Sequence, residues 1–408
     1  MFLSTVLARN PALVDAAAEL HRAGAIPPDT YVVDLDAVEA NAALLAAEAG
    51  RLGLGLWFVV KQIGRNPELI RAIVRHLPRY AAIDRPEAEA LHAAGGRAGN
   101  LGHLAQIPRR ALPALLARRP EAVTVFDVDN ARAVSDTASE LGFVQDVLVR
   151  VEGAADATFP GQEGGVPLAG LEAFAGAVER MDGVQIAGVT AFPCLRCDPA
   201  TGLPEPTPNL RLALQARTLL SDRGHGHRDE HGHGRGHAPL KLSAPGVTCA
   251  ATLPLLAAHG VTHGEPGHAL TGTTPLHAAD LRQPERPAYV YVTEVAHTLV
   301  DGRPALFGGG FYPRGGVESA LLPRTGERLA VLAAPPGHID YYRLLAPPVG
   351  PRPRPGDTAL LAFRTQMFVT RSTVAVVAGL SRAAPRLVGL YDSHGRPDPY
   401  VRQSPGRP

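Results

Sequence analysis

The chain reads LWFVVKQIGRNP at residues 56–67, where an apolar run passes directly into the start of a helix. The run ends at Lys61, and Asn66 followed by Pro67 is typical of an N-cap residue before a first helical residue. An amine at the end of a buried parallel strand is poorly solvated, so it can condense with an aldehyde or act as a base. Lys61 is therefore the first candidate for a chemical role.

The same alternation of short apolar runs and amphipathic helical patterns continues along the chain. An opening run at residues 31–35 is followed by eight further candidate strands, which begin near Trp57, Tyr80, Ala98, Val123, Asp146, Gln185, Leu240 and Thr262. Repeated strand-helix units predict an α/β fold with a (β/α)8 TIM barrel, whose reactive groups gather at the C-terminal ends of the strands. Lys61 lies at such an end.

The composition changes after about Pro284. Segments rich in β-formers at residues 289–295, 328–332, 358–363 and 373–377 are separated by turns with Pro and Gly, which predicts a second, all-β domain. We therefore expect a helical extension over residues 1–28, a barrel over residues 29–285 and a C-terminal β domain over residues 286–408.

One segment, residues 224–237, breaks the barrel pattern because it is dominated by His and Gly. Imidazoles at this density can bind zinc or nickel, but the glycines leave the backbone too loose to preorganise a site. We interpret the segment as a disordered insertion between a barrel helix and the next strand.

The composition also limits the compartment and the partners. The chain has 408 residues, 45% hydrophobic and 19% charged, which is enough for two domains with cores of their own. A formal net charge of +1 without a strong basic block makes nucleic acid and an anionic membrane poor partners. No apolar run approaches the roughly 20 residues of a membrane helix. We expect a cytosolic protein with a small neutral or zwitterionic ligand.

The three cysteines are too few for a disulfide framework, which agrees with a reducing compartment. Cys194 and Cys197 have the spacing of a redox or zinc pair, but a second pair is missing and Cys249 stands alone. We expect no metal site there.

Four features in this order resemble the fold-type III pyridoxal-phosphate enzymes. They are Asp34-Leu35-Asp36 after the opening strand, Val59-Val60-Lys61, Ser243 after a strand, and Glu265-Pro266-Gly267. This group includes alanine racemase and the basic amino-acid decarboxylases, which pair a barrel with a C-terminal β domain. Residues 58–62, 102–108 and 159–165 are similar to the YhfX-like branch of putative amino-acid racemases, and the resemblance covers about residues 29–395.

The resemblance implies roles for individual residues. Lys61 would hold pyridoxal 5'-phosphate covalently and then act as a base beside the substrate Cα. Glu265 would pair with the pyridine nitrogen and keep the ring protonated, as in the decarboxylases, whereas alanine racemases have Arg at this place. The phosphate would be bound by the turn that contains Ser243, Gly246, Val247 and Thr248, with Gly267 allowing close approach and Arg65 standing where alanine racemases carry a tyrosine.

Racemisation needs a second acid/base on the opposite face of the substrate. In the family this is a tyrosine delivered by the partner subunit, and Tyr312 on a flexible Gly-rich loop is the candidate, which implies a homodimer with shared active sites. The resemblance further assigns His103 to the cofactor ring, Gln162 to the phenolic oxygen of the cofactor and Tyr391 to the phosphate or the substrate carboxylate.

Several activities remain open at this point. A decarboxylase shares Lys61 and Glu265, but the C-terminal Cys-Asp motif of the decarboxylases is not visible because all three cysteines precede residue 250. Aldolases and dehydratases of related fold add a metal held by His and Cys in the β domain, where this chain has no Cys. A non-catalytic pyridoxal-phosphate carrier is the remaining alternative. We expect a pyridoxal-phosphate-dependent amino-acid racemase whose amino-acid substrate the sequence does not name.

Overall fold

The computed structural model describes residues 2–153, 158–198, 201–225, 239–314 and 317–400. The chain divides into two compact units. The barrel unit comprises Leu44–Val59 and Val74–Pro266, and the sheet unit comprises Met1–Ala43, Val60–Ile73 and Gly267–Pro408.

The elements are numbered in chain order. The helices are α1 (Phe2–Arg9), α2 (Pro11–Arg22), α3 (Leu35–Leu52), α4 (Pro67–Val74), α5 (Arg85–Ala93), α6 (Leu112–Leu116), α7 (Val128–Glu140), α8 (Leu171–Val178), α9 (Pro208–Asp222), α10 (Leu253–Ala258) and α11 (Pro275–Ala279). The strands are β1 (Thr30–Asp34), β2 (Gly55–Leu56), β3 (Arg79–Ala82), β4 (Arg97–Leu101), β5 (Ala122–Val125), β6 (Gln145–Glu152), β7 (Val166–Pro167), β8 (Val184–Thr190), β9 (Leu195–Cys197), β10 (Pro204–Pro206), β11 (Lys241–Ser243), β12 (His263–Gly264), β13 (Tyr289–Thr298), β14 (Pro304–Phe307), β15 (Ser319–Leu322), β16 (Glu327–Ala330), β17 (Tyr342–Leu344), β18 (Thr358–Leu361), β19 (Thr373–Ala378) and β20 (Arg386–Tyr391).

The barrel unit is built on parallel strands in the order β2-β12-β11-β8-β6-β5-β4-β3. A parallel bridge between Phe58 and Tyr80 joins the two ends of this series. The strands β5 and β11 are buried at every residue, as expected where helices cover one face and the barrel interior the other. The eight strands predicted from Trp57 to Thr262 are these strands, so the predicted barrel is confirmed.

The sheet unit is built on the strand order β16-β15-β18-β13-β1-β19-β20, with β14 pairing β13 and β17. The N-terminal helices α1 and α2 pack on this sheet through a core that includes Leu13, Ala17, Val290 and Leu360. The helix α4 also begins in this unit, where the side chain of Asn66 accepts the backbone N–H of Leu69 at 3.2 Å, as an N-cap residue does. The predicted C-terminal all-β fold is therefore confirmed.

One strand does not belong where we expected it. The opening run, β1, pairs antiparallel with β13 and parallel with β19 in the sheet unit, and it is not a barrel strand. All five of its residues are buried. A continuous apolar run is equally compatible with a barrel strand and with the central strand of a mixed sheet, so its pattern could not separate the two.

Most of the segment predicted to be a disordered insertion lies outside the described residues. Of the His/Gly-rich residues 224–237, only Gly224 and His225 lie within the described residues. No helix in the described ranges is both long enough and apolar enough to span a membrane.

Candidate active site

A buried carboxylate lies at the C-terminal ends of the barrel strands. Glu265 follows β12 by one residue, and its side chain is 3% exposed. Its Oε1 accepts hydrogen bonds from the amide nitrogen of Asn100 at 3.1 Å and from the hydroxyl of Ser243 at 3.3 Å. The Nε2 atom of His103 lies 3.6 Å from Oε2. Because a carboxylate accepts hydrogen bonds and donates none, this arrangement suits a ligand that offers an N–H group.

Sequence reasoning missed the side chains that support Glu265 from the neighbouring strands. Asn100 lies in β4, and its Oδ1 accepts the hydroxyl of Thr124, in β5, at 2.8 Å. Both residues are buried. The signal that could have found them is a polar residue near the C-terminal end of a strand whose other residues are apolar, a position that often carries function in this fold.

A third residue that sequence reasoning missed, Arg150, joins two loops at the same end of the barrel. Its guanidinium donates to the backbone carbonyl of His103 at 3.3 Å and to that of Gln162. It also lies over the ring of Phe126, with 4.6 Å between Cζ and the ring centroid. Burial lowers the pKa of Arg150. The positions of the predicted site residues His103 and Gln162 therefore depend on a buried cation.

The turn from Ser243 to Thr248 also forms hydrogen bonds with Glu265. The Ser243 hydroxyl, predicted for the phosphate, donates to the Glu265 carboxylate, and the backbone N–H of Glu265 donates to the Thr248 hydroxyl at 3.3 Å. A Cβ at Gly246 would lie 2.8 Å from the backbone nitrogen of Leu195, so only glycine fits there. Val247 stands beside it and is half-buried.

Two buried polar atoms of the barrel unit have no hydrogen-bond partner among the described residues. The hydroxyl of Thr190, the last residue of β8, is fully buried and has no hydrogen-bond partner among the described residues. The side-chain carbonyl of Gln162 is in the same situation. Buried polar atoms are nearly always hydrogen-bonded, so these two atoms fit a cofactor with polar substituents.

The two lysines of the sequence have different surroundings. Lys241 opens β11, at the N-terminal ends of the strands, where its Nζ lies 3.6 Å from Glu121 and 3.8 Å from Asp146. Lys61 lies two residues after Val59, where the first segment of the barrel unit ends. Lys61 is half-buried. The amine expected to react is therefore Lys61.

Within the sheet unit, the segment that carries Lys61 packs against the segment that follows Glu265 and Pro266. A Cβ at Gly267 would lie 2.7 Å from the side-chain oxygen of Gln62, so glycine allows the two backbones to approach closely. Burial places the pKa of His268 well below its usual value, and the charges of Arg364 and Lys61 lower it further. His268 is thus a neutral neighbour of Lys61 that sequence reasoning did not identify.

Arg65 and Tyr391 are bound by other residues of the sheet unit. The guanidinium of Arg65 lies 3.3 Å from His394 and over the ring of Phe368. Burial raises the pKa of Tyr391, and a hydrogen bond with the Glu68 carboxylate raises it further. The assignment of Arg65 to the phosphate, and of Tyr391 to the phosphate or the substrate carboxylate, remains a prediction.

The Gly-rich loop before Tyr312 is held by many contacts, although we expected a flexible loop. The Tyr31 hydroxyl donates to the Gly310 carbonyl, and the Thr365 hydroxyl donates to the Tyr312 carbonyl at 2.9 Å. A Cβ at Gly310 would lie 2.7 Å from the Asp29 carboxylate. The side chain of Tyr312 itself is 42% exposed. These contacts therefore hold the backbone of the loop in place, while the phenol of Tyr312 stays accessible.

The cysteines show no arrangement for redox or metal chemistry in the part of the chain that the structure describes. Burial raises the pKa of the Cys194 thiol to about 12. Across the described ranges, no group of three or more His, Cys, Asp or Glu side chains is placed to hold a metal ion.

Two protein families match this chain in sequence. Residues 33–275 match the alanine racemase N-terminal domain, and residues 290–387 match the YhfX-like C-terminal domain. The chain therefore belongs to the alanine racemase-like family of fold-type III proteins, in the branch with a YhfX-like C-terminal domain. The proteins of this family depend on pyridoxal phosphate, so the resemblance and the cofactor expected from the sequence are confirmed.

Individual relatives agree with this placement. The chain is 38% identical over 401 residues to the uncharacterized protein YhfX of Escherichia coli (strain K12), and this match covers 97% of the chain and 99% of that protein. The structure is similar to D-threonine aldolase from Filomicrobium marinum, with a TM-score of 0.62, 17% identity and coverage of 90% and 95% of the two chains. It is also similar to alanine racemase from Corynebacterium glutamicum, with a TM-score of 0.57, 17% identity and coverage of 82% and 89%. At these identities the two structures show the shared fold alone.

Proposed function

We propose that the protein is a pyridoxal-phosphate-dependent amino-acid racemase that works as a cytosolic homodimer. The observation that carries this proposal is the Glu265 carboxylate, buried at the C-terminal ends of the barrel strands with donors from Asn100 and Ser243. The cytosolic location keeps the expectation from the composition, and the three cysteines are thiols.

Glu265 is assigned to the ring nitrogen. Bound pyridoxal phosphate supplies an electron sink for the charge that develops at the substrate Cα, and the sink is strongest when the ring nitrogen is protonated. The Glu265 carboxylate would accept the hydrogen bond from that N–H, and Asn100 and Ser243 hold the carboxylate through its Oε1. The charge of the carboxylate favours the protonated ring.

Lys61 is assigned the first proton transfer. Its Nζ would hold the cofactor covalently and, once free, would take the proton from the substrate Cα on one face. Two observations support this choice: Lys241 lies near carboxylates at the N-terminal ends of the barrel strands, and the charge of Lys61 lowers the pKa of the half-buried His268.

Tyr312 is assigned the second proton transfer. Its hydroxyl delivers a proton to Cα on the face opposite Lys61, and the reverse reaction exchanges the two roles. The fixed backbone of its loop and the exposure of its side chain support this role, because a group that serves a partner subunit must be both preorganised and accessible.

An apolar patch continuous with the Tyr312 loop supports the homodimer. The patch consists of Phe307, Ile339, Tyr341 and Tyr342, all exposed, and the rings of Phe307 and Tyr342 lie 5.9 Å apart. The Tyr341 carbonyl accepts the backbone N–H of Gly308 at 2.8 Å, which ties the patch to the loop. We propose that a second copy of the chain covers this patch and receives Tyr312, since exposed apolar patches commonly mark protein interfaces.

The remaining cofactor contacts follow the resemblance. We assign the phosphate to the backbone of Gly246, Val247 and Thr248 and to Gly267, with Ser243 shared with Glu265. We assign the ring and its substituents to the side chains of His103 and Gln162. Arg65, which contacts His394, is assigned to the phosphate, and Tyr391, which interacts with Glu68, to the phosphate or the substrate carboxylate.

Decarboxylation is the second candidate. The sequence Glu265-Pro266-Gly267 is the form found in the decarboxylases that this chain resembles, and the buried Glu265 suits either reaction. The two reactions differ in which bond of Cα is broken.

One experiment separates the candidates. The holoenzyme is incubated with each of the twenty amino acids in deuterated water, and the products are analysed for deuterium at Cα, for chirality and for amine. Deuterium at Cα together with both enantiomers supports the racemase. Amine formation supports the decarboxylase, and bound cofactor without any exchange across all twenty amino acids contradicts an enzyme and supports a carrier.

A further inference from the structure

The barrel unit contains a directional chain of hydrogen bonds that ends on Glu265. The Thr124 hydroxyl donates to Asn100 Oδ1 at 2.8 Å, and Asn100 Nδ2 donates to Glu265 Oε1 at 3.1 Å. Thr124 and Asn100 are buried, and the Glu265 side chain is almost fully buried. This series of hydrogen bonds runs from Thr124 in β5 to Asn100 in β4 and then to Glu265, directly after β12.

The direction of this chain follows from the chemistry of its last member. An ionised carboxylate only accepts, so Asn100 must turn its NH₂ group toward Glu265 and its carbonyl toward Thr124. The reverse orientation would place two oxygens 3.1 Å apart without a proton between them. Because the Thr124 hydroxyl donates to the side-chain carbonyl of Asn100, it favours the orientation in which the NH₂ group of Asn100 donates to Glu265.

The backbone of Thr124 is fixed as well. Its carbonyl accepts the side-chain N–H of Gln106 at 3.0 Å, and Gln106 also donates to the Gly102 carbonyl at 2.9 Å. Thr124, the donor that begins the series of hydrogen bonds, is therefore held by the loop that carries His103. A buried, fully connected polar chain of this kind specifies one arrangement.

We propose that Asn100, oriented by Thr124, is the residue that positions the Glu265 carboxylate for the ring nitrogen of the cofactor and keeps it ionised there. Asn100 and Thr124 are positioning residues, since they act on the cofactor through Glu265. This inference rests on the proposed function, because the ring nitrogen is the partner assigned to Glu265.

The test compares variants of Thr124 and Asn100 in the full-length protein. Apo-protein is titrated with pyridoxal phosphate between acidic and neutral pH, and binding is followed by the absorbance of the cofactor. The variants are Thr124→Val, which keeps the shape and removes the hydroxyl, Thr124→Ser, which restores the hydroxyl, and Asn100→Asp. The matched control is Thr137→Val, because the Thr137 hydroxyl donates to the Ala133 carbonyl within α7, a helix that carries none of Asn100, Thr124 and Glu265.

We expect Thr124→Val to weaken cofactor binding by about fivefold to tenfold, the loss that accompanies one buried hydrogen bond. The pH below which binding is lost should rise in the same variant, because Glu265 then loses an oriented donor. Thr124→Ser should restore both values, and Thr137→Val should leave both unchanged. Asn100→Asp should raise that pH by more than about one unit, because two adjacent carboxylates share a proton.

Equal binding and equal pH dependence in Thr124→Val and Thr137→Val would overturn the inference, and so would failure of Thr124→Ser to restore them. If Asn100→Asp does not fold, the Thr124 pair decides alone. A wild-type protein that binds no pyridoxal phosphate would overturn the proposed function together with this inference, whereas normal binding with insensitive variants would overturn the inference only.

Discussion

The carboxylate of Glu121 accepts a hydrogen bond from the indole nitrogen of Trp57 at 3.1 Å. The ring of Trp57 stacks on His263, with 4.2 Å between the centroids, and the Nε2 of His263 lies 3.4 Å from the same carboxylate. Glu121 precedes β5, while Lys241 and His263 open β11 and β12. This charged group therefore closes the N-terminal end of the barrel, opposite the end that carries Glu265.

Replacing Glu121 should destabilise the barrel. Burial opposes ionisation of Glu121, but His263, Lys241 and Arg79 outweigh it and lower the pKa to about 2. Glu121→Gln removes the carboxylate charge that pairs with Lys241 and Arg79 and that faces His263, so we expect a loss of about 3 kcal/mol in the free energy of unfolding at neutral pH. Because the folded pKa is depressed, the loss should shrink as the pH falls from about 4.5 toward 2. Denaturant unfolding at several pH values measures it, with the exposed Glu89→Gln as control at less than about 0.5 kcal/mol. A loss independent of pH would contradict this account.

The half-buried carboxylate of Asp29 should produce the opposite pH dependence. Burial raises its pKa to about 6, although Ser372 and Tyr291 donate to it at 2.6 and 2.7 Å. A raised folded pKa contributes stability that is present at low pH and is lost as the pH rises through 6. In Asp29→Asn this loss is absent, so its free energy of unfolding relative to the wild type should rise by up to about 3 kcal/mol between pH 4 and 7. Thermal unfolding across this range measures the difference, and a constant difference would refute the assignment.

Lys61 should be the residue that holds the cofactor. Reductive trapping with borohydride, followed by peptide mass analysis, should place the cofactor on Lys61 in the wild type and find none in Lys61→Ala. Because the chain has a second lysine only at position 241, Lys241→Arg is the matched control and should keep the label. Label recovered on Lys241 would show that the wrong amine was chosen.

Tyr312→Phe should separate binding from racemisation. We expect unchanged cofactor binding and a decrease in racemisation of at least about a hundredfold, the usual contribution of a general acid or base. Exchange of the Cα hydrogen should persist for the enantiomer whose proton Lys61 removes. Tyr341→Phe, a neighbouring exposed tyrosine, is the control and should racemise normally. A Tyr312→Phe variant that keeps the wild-type rate of racemisation in both directions would contradict the two-base proposal.

The apolar patch should control assembly. Ile339→Glu and Tyr341→Glu introduce charge at positions 66% and 60% exposed, so we expect the dimer to dissociate and racemisation to fall with it. Val300→Glu, at another exposed apolar residue of the sheet unit, should remain dimeric. Analytical ultracentrifugation gives the answer, and a dimer that survives both patch variants would place the interface elsewhere.

The sequence predicted more of the barrel than of the site. Strand starts from Trp57 to Thr262 followed from the alternation of apolar runs and helical patterns, and the Lys61 and Glu265 motifs led to the family. The pattern could not place β1, because a run buried on both sides carries no mark of the sheet that it joins. Nor could it show that Ser243 donates to Glu265, since a hydroxyl at a strand end can serve this carboxylate as well as the phosphate.

By itself, the sequence determined the barrel, the all-β domain, the family and the cofactor, because periodicity and motif order are properties of the chain. Only the tertiary structure decided that Asn100 and Thr124 support Glu265, that Arg150 joins two loops and that the Tyr312 loop is held in place. These contacts join residues far apart in the chain, and hydrogen bonds between distant segments are set by packing geometry that no local pattern encodes.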